Sequence, residues 1–271
     1  MEKSKGIDLL SILFGFFLVG VALYIMAPLI FVVFNAFNSA AYNVFPPEGF
    51  SLKWFGVVLR YPTFKPAFIN SVIVGLGAMV ISVVTGTMAA RAFVKYRFKF
   101  DTMARSLLYA PALVPNIAIG AGIFLYYIRI GLYGGRFGLI LAHSLLGLPF
   151  VISIMVAVML QLDPSLEEAA QDLGAKPLET FLRVTLPQMQ AGLIVSAMFA
   201  FIVSFDELET SLFLVRPANN TLPIEMFLYL QEYQNPSLAA LSTLIIAITA
   251  VAVIVLIPFV RRQVERRKLL R

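Results

Sequence analysis

Residues 163–187, DPSLEEAAQDLGAKPLETFLRVTLP, form the longest charged, proline- and glycine-punctuated stretch between apolar runs. The runs on either side are each long enough to cross a membrane. The stretch reads as two short helices joined by a hinge. Asp163 is a good N-cap, Pro164 suits the first helical position, and Glu167 and Glu168 place negative charge near the positive helix start. Gly174 supplies the left-handed residue that ends a helix. Ala175-Lys176-Pro177 then restarts one, and Leu186-Pro187 closes the unit before the chain re-enters the membrane. Helix signals alone describe an ordinary loop; its meaning comes from the rest of the chain and from its internal spacing.

The composition excludes most alternatives. With 60% hydrophobic residues and 13% charged in 271, this is not the make-up of a soluble globular protein. The mean hydropathy of +0.88 agrees. A net charge of +6 would fit nucleic acid, but the basic residues cluster at the ends of apolar segments, as in a membrane protein, so no nucleic-acid partner is expected. The absence of cysteine excludes disulfides, thiolate catalysis and Cys-ligated metals. One histidine rules out HExxH-type sites, and no GxxxxGK sequence is present to bind nucleotide phosphates. Any ATP is therefore hydrolysed by a partner.

Taken in order, the apolar runs predict six spans. The first is Leu9–Phe34, too long for a signal-peptide core and containing Pro28. Residues 35–66 read as an outer loop with a short interfacial helix at Lys53-Trp54-Phe55, Trp favouring the headgroup level. Ala67–Phe93 is the second span, with Gly75, Gly77 and Gly86 allowing close helix approach. Ser106–Ile128 is the third, broken early by Pro111 and Pro115, and Phe137–Leu160 the fourth, with Pro149 midway. The fifth runs from Ala191 to Phe205, with Leu208–Leu214 either continuing it or dipping back, and the sixth is Leu238–Val260. Both termini then lie on one side. That side holds 15 of the 21 Lys and Arg residues, so both termini and residues 163–187 are expected in the cytoplasm. The whole of 1–271 reads as one transmembrane domain.

The spacing inside the opening stretch is Glu168-Ala169-Ala170, three residues, Gly174, nine residues, Val184, one residue, Leu186-Pro187. It resembles the EAA loop of ABC-importer membrane subunits, the binding-protein-dependent permeases; Val184 stands where that family usually has Ile. The resemblance implies an all-α type I permease fold and a coupling helix that docks on a cytoplasmic ATPase. Glu167, Glu168, Ala169, Ala170, Gly174, Leu186 and Pro187 are then the coupling residues. It also implies two ATPase subunits carrying ATP and Mg²⁺, a second permease, a periplasmic binding protein, and location in a bacterial inner membrane among its lipids. No cofactor is expected on this chain.

Charges inside a bilayer cost about 2.5–3.5 kcal/mol on insertion scales and usually line a pathway. Asp206 lies fifteen residues beyond Ala191, about 22 Å along a helix. Asp206 and Glu209 share a helical face, Glu207 points about 100° away, and Ser204 adds polarity. Asn70, Asn116 (midway along the third span) and His143 fall at similar depth. Together they suggest a hydrated vestibule for a cationic substrate. A helix ending near Phe205, with its carboxylates wet at the interface, fits the same residues, and each polar group singly also fits a helix–helix hydrogen bond. Phe68-Ile69-Asn70-Ser71, Ser204-Phe205-Asp206-Glu207 and Thr221-Leu222-Pro223-Ile224 resemble the polyamine/opine/phosphonate branch, most nearly the second permease of spermidine/putrescine importers. Opine, phosphonate and ferric-iron importers share much of that pattern. Of the rival classes, a secondary transporter or channel would show intramembrane ion pairs or an inverted repeat, and a membrane enzyme a catalytic cluster; neither is evident.

Overall fold

The computed structural model describes the backbone of residues 9–268 and the side chains of residues 13–251, 254 and 255. Among the described residues the regular secondary structure is helical, apart from one isolated antiparallel bridge between Asn38 and Phe50. The helices, in order, are α1 (Leu9–Ala36), α2 (Lys53–Arg60), α3 (Phe64–Lys95), α4 (Asp101–Tyr109), α5 (Asn116–Ile130), α6 (Arg136–Met159) and α7 (Pro164–Asp172). There follow α8 (Pro177–Thr180), α9 (Leu186–Gln188), α10 (Gln190–Phe205), α11 (Glu209–Leu214), α12 (Leu222–Glu232) and α13 (Ser237–Lys268).

Among the described residues three of these are long and apolar enough to cross a membrane unaided: α1 over Leu13–Ala36, α3 and α6. In α1 the apolar residues run all round, and none of its most hydrophobic window is buried. A helix of that kind is stable only in lipid or against another protein. One expected span, the third, is not a continuous helix, whereas the fifth, Ala191–Phe205, lies within the unbroken α10. Ser106–Ile128 is divided between α4 and α5, with a tight turn over Ala110–Ala112 and a bend of 104°. Pro111 and Pro115 sit in that break; each lacks a backbone N–H, so the α-helical ladder stops there. Asn116 is accordingly the first residue of α5, not a mid-span position. The second bent pair is Pro177–Gln188 with Gln190–Phe205, turned by 77° about Met189. Leu186 and Pro187 start the short α9, directly before the bend at Met189 and the start of α10. Counting each bent pair as one span gives five among the described residues; the expected sixth, Leu238–Val260, lies partly outside the residues whose side chains are described, and its described apolar stretch is Ser237–Val251.

The chain forms two compact units, Met1–Tyr61 with Tyr229–Ala252, and Pro62–Leu228 with Val253–Arg271. In the first, Asn38 organises the loop after α1. Its Oδ1 accepts from the N–H groups of Ala40 and Glu48, and its carbonyl accepts from Trp54 Nε1 at 2.9 Å. Trp54 is thus buried with its indole N–H satisfied, while Phe50, Phe45 and Leu59 are exposed around it.

In the second unit α3, α6 and α10 pack against one another around Ala90, Val151, Met155, Met159, Met189 and Ala200. Small residues set the spacing. A methyl group on Gly86 of α3 would come within 2.7 Å of Val151 Cγ1, and one on Gly147 of α6 within 3.0 Å of Ser82 Oγ. Ser82 uses that proximity to donate to the Ser144 carbonyl at 2.8 Å. Backbone contact of this closeness is how helices associate where lipid is as apolar as leucine.

Candidate functional site

Two clusters of polar residues stand out in the second unit. The first is the segment from Asp163 to Gln188. Asp163 caps α7, its carboxylate accepting from the Ser165 N–H at 3.0 Å, and that bond holds its carboxyl below the ordinary range. The other end of α7 closes as a Schellman motif: Gly174 N–H reaches the Gln171 carbonyl at 2.9 Å and Ala175 N–H the Ala170 carbonyl at 3.0 Å, with Gly174 at φ +89°. The chain continues through α8 and a wide π-type turn, Phe181–Thr185, into α9.

No residue of α7 is buried. Glu168 and Ala169 are exposed and Ala170 half-buried, on a surface that also shows Leu166, Leu173, Leu178 and Leu182. Leu173 is 90% exposed. Leu166 and Leu173, exposed outside the apolar spans, are apolar surface available to a partner. Sequence reasoning passed over Leu173; its signal was an apolar residue directly before the helix-ending glycine. Glu167, on the adjacent face, turns inward. It receives Lys95 Nζ at 2.5 Å, Arg91 Nη1 at 3.3 Å and the Thr185 hydroxyl. Partial burial pushes its carboxyl up, but the Lys95 and Thr185 hydrogen bonds and the charges of Arg91 and Lys95 outweigh that and hold it below its usual value. Beside these residues lies a cleft of about 420 Å³ lined by Arg91, Lys95, Glu167, Glu168, Gln171 and Gln188, among others.

The second cluster forms where two helix breaks meet. α10 stops at Phe205 and α11 starts at Glu209, while α5 starts at Asn116 and packs on α11. Glu207 is buried: it accepts from Asn116 Nδ2 at 2.9 Å and from the Thr210 N–H at 2.8 Å, and Thr210 Oγ1 donates to the Asn116 carbonyl at 3.1 Å. His143, fully buried on α6, sits between Ser204 Oγ at 2.8 Å and Ser211 Oγ at 2.9 Å. Nδ1 also lies 3.1 Å from the Ser204 carbonyl, so each ring nitrogen faces a serine hydroxyl, and Ser211 Oγ reaches the Glu207 carbonyl at 3.0 Å. Four predicted residues, Asn116, His143, Ser204 and Glu207, therefore form one connected network.

Asp206 and Glu209 are exposed beside it, and Glu209 accepts from the Ile117 N–H at 3.2 Å. Asn70 is not part of this network. Its amide donates to the carbonyls of Asn219 at 2.7 Å and Asn220 at 3.1 Å and accepts from Arg136 Nε at 2.8 Å, tying α3 and α6 to the turn before α12. Among the described residues no three His, Asp or Glu side chains are placed to hold a metal ion.

Residues 82–269 match the family model of the binding-protein-dependent transport system inner membrane component. The chain is 24% identical over 240 residues to the spermidine/putrescine transport system permease protein PotC of Escherichia coli (strain K12), covering 89% of this chain and 90% of that protein. It is 30% identical over 230 residues to the putrescine transport system permease protein PotI of the same strain, with 82% of each covered. Among solved structures, it resembles a bacterial ABC transporter involved in import of the acidic polysaccharide alginate. The TM-score is 0.70 at 18% identity, over 97% of this chain and 99% of that one. An inward-facing MetNI methionine ABC transporter gives a TM-score of 0.58 at 16% identity, over 79% and 99%. At such identities the structural likeness shows the fold alone, the helical type I permease. The family match spans most of the chain: it belongs to the binding-protein-dependent transport system inner membrane components and is a permease subunit of an ABC importer.

Proposed function

We propose that this permease carries polyamines or a related small cationic amine across a bacterial inner membrane. ATP chemistry belongs to separate ATPase subunits, as in the family, and this chain is not itself catalytic. One observation carries the cargo reading: at a break between membrane helices, Asp206 and Glu209 present exposed carboxylates beside a Glu207 that is already hydrogen-bonded. Exposed acids at that depth are costly unless water or a cation meets them. The chemistry of an alkylammonium fits, and spermidine or putrescine is the cargo named for the PotC and PotI relatives.

In this reading residues 1–271 act as one permease domain with both termini and the α7 segment in the cytoplasm. Glu168, Ala169, Ala170 and the exposed leucines meet an ATPase, with Gly174 fixing the angle of approach. Two ATPase copies using ATP and Mg²⁺, a second and different permease, and a periplasmic binding protein complete the importer. Closure of the ATPase pair would move α7 and rock the permease pair between inward- and outward-facing states.

Uptake by proteoliposomes containing the whole importer tests the cargo, with radiolabelled spermidine, putrescine, an opine, a phosphonate and ferric iron offered in turn. Amine uptake that falls in D206N and E209Q is expected. Uptake of any other class with indifference to amines overturns the proposal.

A further inference from the structure

The adjacent glutamates of α7 are placed for different work. Successive residues on a helix point about 100° apart, and here one side chain goes outward and the other inward. Glu168 is exposed, whereas the Glu167 side chain is 19% exposed and fastened by three partners to two other pieces of chain. Arg91 and Lys95, four residues apart in the last turns of α3, present their charges on one face, and both reach the Glu167 carboxylate. Thr185, at the end of the π-type turn that leads into α9, donates its hydroxyl to the same carboxylate. Arg91 is itself positioned by Phe181 of that turn, its guanidinium lying 4.3 Å from the ring centroid.

What else holds α7 decides how much this matters. The helix has no buried residue, and the 420 Å³ cleft runs alongside it. Apolar packing therefore does little to fix α7 to the bundle. The helix otherwise touches α8 and the π-type turn, and is joined to the chain through residues 161–163 and 173–176, both without helical backbone. A solvated ion pair such as Glu179–Arg183, with side chains 42% and 79% exposed, is worth little. The Glu167 arrangement differs because one carboxylate, partly withdrawn from water, meets two cations and a hydroxyl from different elements.

We infer that Glu167 is the positioning residue that transmits motion of α7 to α3 and to the start of the α9–α10 run, through Arg91, Lys95 and Thr185, while Glu168 faces the ATPase. The inference rests on the coupling role proposed above for this loop. It reassigns Glu167 from the docking surface to the transmission.

The test uses the complete importer with its ATPases and binding protein in proteoliposomes, comparing wild type, E167Q, E167K, the exchanged pair K95E/E167K, and L173D. Three quantities are read: ATPase co-isolated with the permease, ATP hydrolysis stimulated by the binding protein, and substrate moved per ATP. E167Q is expected to keep its ATPase subunits yet move about tenfold less substrate per ATP, within the usual range of coupling between sites. E167K should do worse, and K95E/E167K should recover a substantial part of the ratio. An unchanged ratio in E167Q overturns the inference. So does a loss matched by loss of ATPase from the complex, or an exchanged pair no better than E167K. L173D separates this outcome from failure of the docking reading: if L173D retains its ATPase and its transport, the loop is not the docking surface, whatever Glu167 does.

Discussion

The amide of Asn116 donates to the buried carboxylate of Glu207 across 2.9 Å, and the carbonyl of the same asparagine receives the Thr210 hydroxyl at 3.1 Å. One residue thereby locks the start of α5 to the start of α11, at the level where both long helical paths are interrupted. Removing it leaves a buried carboxylate short of a donor, which costs about 1–3 kcal/mol, and more for a charged group. N116A is expected to lower the thermal midpoint of the purified complex by several degrees and to reduce uptake. N116D, which opposes two carboxylates, should be the more damaging of the pair. Equal stability of N116A and wild type in a melting assay would show that this bond does not hold the break together.

His143 extends the same network from α6. H143A would open a cavity and leave Ser204 and Ser211 without their shared partner. H143Q keeps a donor and an acceptor. H143Q is therefore expected to retain more stability than H143A, read as the difference in melting midpoint; the reverse order would mean that ring shape matters more than the hydrogen bonds.

How much of this was legible beforehand follows from the range of each interaction. The ends of α7 were readable because Asp163, Pro164 and Gly174 act on their own backbone within a few residues. The break before α5 was signalled by Pro111 and Pro115, but its 104° angle was not, since a proline ends a ladder without fixing where the chain goes next. Glu207 was expected to point away from Asp206 and Glu209, yet its partner Asn116 lies 91 residues earlier. The partners of Glu167 lie 76 and 72 residues away, so helix phase alone left it indistinguishable from Glu168. The membrane class came from composition, the polar core from tertiary packing.

Gly174 offers a test free of packing effects. Its φ is +89°, and a Cβ placed there would meet nothing within 4 Å. Only backbone strain then opposes substitution, about 1–2 kcal/mol for a residue with a side chain. G174A and G174L should lose stability and transport per ATP to a similar extent, and G174N less, because asparagine tolerates the left-handed region better. A large gap between alanine and leucine in the transport ratio would point to a partner surface pressed against this position.

The α3–α6 crossing predicts the opposite pattern, in which size is everything. At Gly86 a methyl group would meet Val151 Cγ1 at 2.7 Å and Val151 Cβ at 2.9 Å. Overpacking of this kind costs about 1–3 kcal/mol. G86A should destabilise the permease, and V151A, by making room, should relieve part of the defect in the double variant. G20A in α1, where nothing lies within 4 Å, serves as the control and should be silent. Additive losses in G86A/V151A would show that the two residues do not oppose each other.

The ionic tie at Glu167 carries a pH signature whose sign is set by its environment. The carboxyl is held below its ordinary value of 4.5 in the folded protein, burial raising it less than the Lys95 and Thr185 hydrogen bonds and the Arg91 and Lys95 charges lower it. A depressed folded pKa means the tie contributes fully above the ordinary carboxylate range and is lost as pH falls through the lowered value. The chain contains no cysteine, so Q171C and Y96C can carry a single pair of spin labels reporting the distance from α7 to the end of α3. Between neutral pH and pH 5 that distance distribution should stay narrow, then broaden as the solution is taken below 4.5. In E167Q it should be broad throughout, since no charge remains to titrate. A wild-type distribution already broad at neutral pH would mean that the carboxylate does not hold α7 to α3.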